Sequence, residues 1–79
     1  MGGENVKITV KLFATFRDGR DKIQIIEIEA GKTPEDIITI LGIKQSEVAI
    51  LLVNGRDGQF DKLLIDGDTL SLFPPVGGG

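Results

Sequence analysis

The sequence predicts an α+β protein in which one main helix packs across a mixed sheet of four to five strands. The first observation is the alternation of apolar and polar residues in "VKITVKLF", which is typical of a strand with one buried face. The second is a set of helix start and stop signals in "GKTPEDIITILG". The third is that short apolar runs, "AILLV" and "TLSLF", follow the helix. The order of elements is therefore hairpin, helix, strand, loop and strand.

The first two strands are predicted to pair as a hairpin. Asp18 and Gly19 form the turn signal between them, because glycine adopts a positive φ without a steric clash. We therefore expect the stretch "ATFRDGRDK" to be a tight turn. The inward-facing side chains of the first strand are expected to be Val6, Ile8, Val10 and Leu12.

The second strand, "KIQIIEIEA", contains two opposite phases. Ile26 and Ile28 alternate with glutamates, whereas Ile23 and Ile25 lie on the other face. Either a bulge near Ile25 shifts the register, or both faces of the strand are partly covered there. The sequence does not choose between these two interpretations.

The helix is predicted from its two ends. Thr33 is a good N-cap residue, Pro34 suits the first helical position, and Gly42 suits the C-terminal stop. Glu35 and Asp36 place negative charge at the positive end of the helix dipole. The stripe expected to pack on the sheet consists of Ile37, Ile40 and Leu41.

The segment "AILLV" after the helix is expected to be a strand covered on both faces, because it is continuously apolar. Asn54 and Gly55 then signal a turn. The following "GRDGQFDKLLIDGD" is expected to be a loop with apolar anchors at Phe60, Leu63 and Leu64. In the last strand, Leu70 and Leu72 are expected to face inward. The whole layout is that of a small β-grasp roll.

Composition excludes several classes of function. The net charge of −3 argues against nucleic acid as the main partner. The chain has no cysteine and no histidine, so the commonest thiol nucleophile, general base and metal ligand are missing and a stand-alone enzyme is not expected. No apolar run is long enough to span a membrane, and a cytoplasmic protein is expected.

A metal site is not predicted either. The acidic residues of the second half do not have the spacing of a calcium-binding loop. They are Asp57, Asp61, Asp66 and Asp68. The segment Asp66-Gly67-Asp68 is better explained as turn chemistry, in which aspartate side chains bond to nearby backbone groups and glycine supplies an unusual φ.

Four segments, in order along the chain, carry a family resemblance. "VKLFATFR", "LLVNGR", "LIDGDTLSLFPPV" and the terminal glycines together resemble the small sulfur carriers of the MoaD and ThiS type. That family has a ubiquitin-like β-grasp fold, and the resemblance covers nearly the whole chain. The end "FPPV" before the glycines is more similar to the small subunit of molybdopterin synthase than to the thiazole-pathway carrier. The resemblance implies one β-grasp domain over residues 1–76 and a flexible glycine tail over residues 77–79.

The resemblance also implies a role for the last glycine. In such families an E1-like adenylyltransferase of the MoeB or ThiF type uses ATP to adenylate the carboxylate, here that of Gly79. A sulfur donor then converts it to a thiocarboxylate, which donates sulfur in cofactor biosynthesis, with molybdopterin favoured. The expected acceptor is an enzyme such as the large subunit of molybdopterin synthase, and the carrier binds no cofactor of its own. Gly77 and Gly78 would pass through a narrow channel, where a Cβ would obstruct the chain.

Five residues near the two ends are predicted to meet these partners. Phe13 and Phe73 fall outside the inward phase of their strands, and exposed apolar side chains are often part of interfaces. The resemblance places them, with Arg17, on the surface that contacts the activating enzyme and the large subunit. The alternative is that both rings cap the edge of the core and that Arg17 is a solvated turn residue. Pro74 and Pro75 are expected to hold Phe73 extended and to direct the tail away from the sheet.

Two features of the sequence depart from the family pattern, and two other functions remain as alternatives. Many MoaD proteins insert a helix where a tight turn is expected here, and this chain ends in three glycines instead of two. The same adenylation would also serve a ubiquitin-like modifier that joins Gly79 to lysines of other proteins. A non-covalent β-grasp binding module would give the glycines no role.

Overall fold

The computed structural model describes residues 4–75, which form one mixed sheet with a helix packed across it. The strands are β1 (Asn5–Leu12), β2 (Ile23–Glu29), β3 (Ile50–Val53), β4 (Arg56–Asp57) and β5 (Thr69–Phe73), and the helix α1 is Pro34–Leu41. Their order across the sheet is β2-β1-β5-β3-β4. β1 and β5 are parallel, and the other neighbouring strands are antiparallel. The predicted α+β class and ubiquitin-like β-grasp layout are confirmed, whereas the predicted tail at 77–79 lies outside the described residues.

The core lies between α1 and the sheet face that points toward it. The four inward residues predicted for β1 are all buried, and Leu70 and Leu72 of β5 have no exposed surface. β1 and β5 are neighbours inside the sheet, so adjoining strands flank their side chains while the helix covers them from above. No helix within residues 4–75 is long and apolar enough to cross a membrane.

The two phases of β2 arise from neither a bulge nor two-sided coverage. The register with β1 runs without interruption from Asn5 opposite Glu29 to Lys11 opposite Ile23, so no extra residue is inserted. Ile23 and Ile25 are 55% and 69% exposed, on the sheet face that points away from α1. Both interpretations left open by the sequence are therefore wrong, and two isoleucines lie uncovered on an outer strand.

The connection between β1 and β2 is longer and more ordered than the predicted tight turn. Ala14–Arg17 form a short 3-10 helix, and Phe16 within it is buried in the core. A tight turn would leave this ring in water, at a cost in burial of roughly 2 kcal/mol, so the chain folds back to bury it. Gly19 still has the positive φ that the sequence predicts, at +70°.

Both ends of α1 form as predicted. The Thr33 hydroxyl accepts a hydrogen bond from the Asp36 backbone N–H, while the Asp36 carboxylate accepts one from the Thr33 backbone N–H at 2.9 Å. That backbone hydrogen bond, together with a second from the Thr33 hydroxyl, holds the pKa of Asp36 below its ordinary value. Gly42 ends the helix in the left-handed conformation, at φ +77°.

The buried stripe of α1 differs from the predicted one. Ile40 was expected to face the sheet but is 62% exposed, whereas Ile38 is buried. The stripe begins at Pro34, which is itself buried, and its members follow at spacings of three, four and seven residues. They are Pro34, Ile37, Ile38 and Leu41. The prediction of Ile40 is wrong because Pro34 is both the first residue of the helix and part of its buried face, which turns Ile40 toward solvent.

β3 is covered on one face only, which corrects the prediction of two-sided coverage. Leu51 is buried against the core, but Ile50 is 45% exposed on the opposite face. The single helix layer covers one side of the sheet, so a continuously apolar strand still has an open face. In the loop that follows, Leu64 is buried and Phe60 packs against the core, whereas the expected anchor Leu63 is 60% exposed.

Asn54 and Gly55 form the predicted turn, and they join β3 to a short strand, β4, that the sequence did not reveal. Both residues have positive φ, +55° and +81°, as the two central positions of a tight hairpin turn require. The β4 strand consists of two residues only, which is too short for an alternating pattern to be visible.

Gly58 after β4 is required by close packing and not by its φ. Its N–H donates to the Leu51 carbonyl at 3.0 Å, and a Cβ at this position would lie 2.6 Å from Cδ2 of Leu51 and 2.7 Å from Cγ2 of Val53. We expect Gly58→Ala to lower the free energy of unfolding by about 1–2 kcal/mol, measured by chemical denaturation. In a Val53→Ala background, where one of the two clashes is removed, the same change should cost less. An equal cost in both backgrounds would contradict the packing explanation.

Candidate functional site

The candidate site lies where β5 ends and the chain leaves the sheet. The Leu72 carbonyl accepts a hydrogen bond from the Phe13 N–H at 3.2 Å, and the Phe73 carbonyl accepts one from the Ala49 N–H at 2.8 Å. The last two residues of β5 are thus hydrogen-bonded on both sides, to the end of β1 and to the start of β3. This pairing fixes the point from which the C-terminal residues depart.

Phe13 and Phe73 form a stacked pair at this point. Their ring centres are 4.1 Å apart and their planes differ by 9°. The register explains the pair. Leu12 lies opposite Leu72 in the parallel ladder, so the residues that follow them, Phe13 and Phe73, lie side by side. Both rings are half-buried and lie on the face away from α1, so they present aromatic surface to solvent while covering each other.

Arg17 extends this surface from the short 3-10 helix. Its guanidinium carbon lies 5.2 Å from the centre of the Phe13 ring, and its Nε–H donates to the Leu12 carbonyl at 2.7 Å. The side chain is exposed, yet its position is set by these two contacts. Arg17 is therefore not a free turn residue, and it adds one positive charge beside the stacked rings.

β3 adds apolar surface that the sequence analysis missed. Ile50 lies opposite Phe73, and Leu52 lies opposite Ser71, all on the face away from α1. We refer to this surface, made of Phe13, Arg17, Ile50, Leu52 and Phe73, as the aromatic patch. β3 is continuously apolar, so the sequence does not distinguish its two faces, and only the order of the strands shows that its outward residues adjoin Phe73.

The two prolines after β5 differ in their surroundings. Pro74 is buried, whereas Pro75 is exposed. Both line a cleft of about 500 Å³ beside the short 3-10 helix. Arg20 closes one wall of it by donating from Nε to the Leu41 carbonyl at 3.1 Å and from Nη1 to the Phe16 carbonyl at 3.2 Å. No local pattern predicts this role, since Arg20 bonds to two segments that are distant from each other along the chain.

The acidic residues before β5 form one local turn hydrogen bond of the kind that the sequence predicts, between Asp68 and Ile65, and two bonds to distant segments. The Asp68 carboxylate accepts bonds from the Ile65 N–H and from the side-chain amide of Asn54, each at 2.9 Å. The Asp66 carboxylate accepts one from the Lys7 N–H at 2.8 Å. Within residues 4–75, no three acidic side chains converge in a way that could hold a metal ion. Asn54 has a larger role than its turn alone, because it joins that turn to the segment leading into β5.

The chemistry of the described site is that of a binding surface. The aromatic patch offers apolar area with one flanking cation, and the chain continues from its edge toward the sequence "VGGG". A model of the ThiS family matches residues 10–79, which includes the helix, four of the strands in full and the glycine end. This chain belongs to the ThiS family.

Two solved structures show how fully the ThiS-family fold is shared. The HVO 2177 protein of Haloferax volcanii has a TM-score of 0.75 and 30% identity, and the match covers 95% of this chain and 88% of that one. A putative molybdopterin converting factor subunit 1 from Pyrococcus furiosus has a TM-score of 0.72 and 32% identity, with coverage of 90% and 99%.

A third structure contains a partner. It is the complex of subunits 1 and 2 of the molybdopterin-converting factor from Helicobacter pylori, with a TM-score of 0.58 and 25% identity, covering 94% of this chain and 100% of the matched one. None of the curated proteins compared with the chain matches it. The similarity to ThiS-family carriers predicted from the sequence is confirmed, whereas the roles assigned to single residues stay predictions.

Proposed function

We propose that this ThiS-family protein is a sulfur carrier. An E1-like adenylyltransferase of the MoeB or ThiF type activates the Gly79 carboxylate with ATP, and a sulfur donor converts the acyl adenylate to a thiocarboxylate. The carrier contributes the carboxylate and binds no cofactor, while ATP is bound by the activating enzyme. The observation that carries the proposal is that the family match extends through the terminal glycines, which follow directly on the end of β5.

The geometry around β5 supports a partner that holds the patch and the tail at once. Four residues follow Pro75, and an extended chain of four residues spans at most roughly 14 Å. A partner that uses Gly79 must therefore place its active site within that distance of Pro75. The aromatic patch borders the same point, so it offers binding surface where such a partner is obliged to lie.

The favoured acceptor of the sulfur is a molybdopterin synthase large subunit. Support comes from the similarity to two proteins described as subunit 1 of a molybdopterin-converting factor, one of them in complex with its second subunit. The sequence "FPPV" before the glycines points in the same direction. A cytoplasmic location belongs to the proposal, because activation consumes ATP.

The proposal predicts a nucleophilic sulfur atom, which reacts as a thiol does, in a protein that has no cysteine. The protein is isolated from its own host under mild conditions and treated with a thiol-specific alkylating reagent. We expect a fraction of it to gain one alkyl group, which intact-mass measurement detects. The chain contains no cysteine, so such alkylation reports a thiocarboxylate and not a side-chain thiol. Oxidation of the single methionine shifts the mass by a similar amount to an exchange of sulfur for oxygen, but the oxidised residue does not take up the alkyl group.

The controls separate carrier from modifier. A Gly79 deletion variant expressed in the same host should take up no alkyl group. An antibody blot of the host extract should show few larger conjugates. A strong ladder of conjugates without any alkylated species would contradict the carrier proposal and favour the ubiquitin-like modifier.

A further inference from the structure

The outer edge of β2 is a second surface, on the opposite side of the sheet from β3 and β4. β2 is the first strand of the sheet, and within residues 4–75 it pairs with β1 alone. Two hydrogen bonds bracket β2. The Lys22 carbonyl accepts one from the Leu12 N–H at 2.8 Å, and the Ala30 N–H donates one to the Glu4 carbonyl at 2.8 Å. Because bonding partners alternate along an antiparallel ladder, the backbone groups of Ile23, Ile25 and Glu27 point outward instead. They form an unpaired edge to which another strand can bind.

This edge is unusually apolar in its first half. Natural sheets protect their edges with charged side chains, prolines, bulges or a covering element. Here Ile23 and Ile25 are both more than half exposed, and β2 has no bulge. Ile40, 62% exposed on α1, offers further apolar surface beside the second half of the strand, where it lines a groove with Glu27 and Glu29. An added strand would therefore find apolar contacts along both halves of the edge.

A groove between β2 and α1 gives the second half of the edge a negative charge. The groove has a volume of about 370 Å³. Its polar and exposed lining residues are Glu27, Glu29, Lys32, Asp36, Thr39 and Ile40. Three carboxylates and the Lys32 ammonium group line the groove, and Glu27 and Glu29 lie on the edge strand itself. Lys7 of β1 lies opposite Glu27, so this end of the edge keeps a net charge of −1. A ligand with positive charge at this end is favoured by charge complementarity.

We propose that the β2 edge binds an extended peptide as a sixth strand, with apolar residues beside Ile23 and Ile25 and lysine or arginine beside Glu27 and Glu29. Main-chain hydrogen bonds to the outward N–H and C=O groups provide affinity, and the alternating side chains provide specificity. This surface does not involve the aromatic patch or Gly79. The proposal therefore stands or fails independently of the sulfur-carrier function.

A second copy of the chain fits this edge less well than a basic peptide. Two β2 strands related by a two-fold axis run antiparallel. A register that places Ile23 of one copy opposite Ile25 of the other also places Glu27 opposite Asp21. Like charges directly opposite each other destabilise a strand pair. The charge pattern of the edge thus selects a partner of opposite charge over itself.

The test uses the full chain and a short blocked peptide, half of it apolar and β-branched and half alternating lysine with threonine. We expect shift changes in amide NMR spectra at Ile23, Ile25 and Glu27, with slowed exchange of their N–H protons. A peptide with glutamate in place of lysine should bind at least about tenfold more weakly, and added salt should weaken the lysine peptide. Equal binding of the two peptides, or shift changes confined to the aromatic patch, would overturn the proposal.

Two sets of variants probe the edge directly. Ile25→Pro removes one outward N–H and leaves the ladder with β1 intact, so it should weaken binding about fivefold or more, while Ile25→Val should bind nearly normally. If the proline variant does not fold, the charge-reversed pair Glu27→Lys and Glu29→Lys should prefer the glutamate peptide instead. Binding that neither change affects would overturn the proposal. So would a dimer of the chain alone that the edge variants abolish, because a second copy would then occupy the edge.

Discussion

Deletion of Gly79 is expected to abolish ATP-dependent activation of this protein. In the proposed reaction the terminal carboxylate attacks the α-phosphate of ATP, so removal of one residue withdraws the nucleophile by roughly 3.5 Å along an extended chain. Misplacement of a reacting group by an ångström costs on the order of 100-fold in rate. The measurement is pyrophosphate exchange with an E1-like adenylyltransferase and ATP.

Matched variants separate the carboxylate from the length of the tail. A semisynthetic protein with an amide at Gly79 keeps every residue and loses only the charged oxygen, so it should also be inactive. Gly78→Ala keeps the carboxylate but adds a Cβ within the tail, and it should slow exchange without changing stability. Undiminished exchange by the deletion variant would show that two glycines suffice and that Gly79 is not the reactive end.

Substitution of Phe73 by alanine is expected to weaken partner binding more than it weakens the fold. Phe73 is half-buried, and its ring stacks on Phe13 at 4.1 Å. Loss of an aromatic contact at the centre of an interface costs about 2 kcal/mol or more, which is a factor of roughly 30 in Kd. Loss of the stacked pair should cost the fold only about 1–2 kcal/mol, because Phe73 is partly exposed and does not belong to the buried core cluster. Calorimetric titration with the activating enzyme and thermal denaturation give the two values.

A distant apolar residue provides the control for Phe73. Ile65 is 67% exposed and borders the cleft around Asn54 and Asp68, near the opposite end of β5. Ile65→Ala should change neither binding nor stability appreciably. A stability loss of about 3–5 kcal/mol for Phe73→Ala, with normal binding by the folded fraction, would show that Phe73 belongs to the core and not to an interface.

Local signals in the sequence predicted most of the secondary structure correctly. The alternation in β1, the caps at Thr33 and Gly42, and the Asn54-Gly55 turn all depend on residues close together in the chain. The failures occur where the outcome depends on residues that are distant in the chain. Ile40 was placed on the buried stripe because apolar character alone does not show which side of a short helix meets the sheet. A tight turn was expected in place of the short 3-10 helix. The sequence does not show that Phe16 is buried, because its burial depends on contacts with the core and not on its neighbours in sequence.

The candidate site was predictable at its two ends but not as a surface. The aromatic residues stood out because both lie off the inward phase of their strands, and the glycine end stood out by composition. Their contact could not be derived, since Phe13 and Phe73 are 60 positions apart by their numbering and meet only through the parallel pairing of β1 with β5. Ile50 was not predictable because it adjoins Phe73 only through the antiparallel pairing of β3 with β5. Arg20 was not predictable because it bonds to the carbonyls of Phe16 and Leu41, which lie in different segments of the chain.

Sequence alone determined the class of the fold, the boundaries of its main helix and the resemblance to sulfur carriers, because periodicity, capping and composition are local properties of the chain. Tertiary structure alone decided which apolar residues stay uncovered. One helix covers one face of the sheet, so Ile23, Ile25 and Ile50 lie in solvent although their apolar character matches that of the core. Burial depends on the order of the strands and on the side that the helix occupies, and both are set by contacts between residues that are distant in sequence.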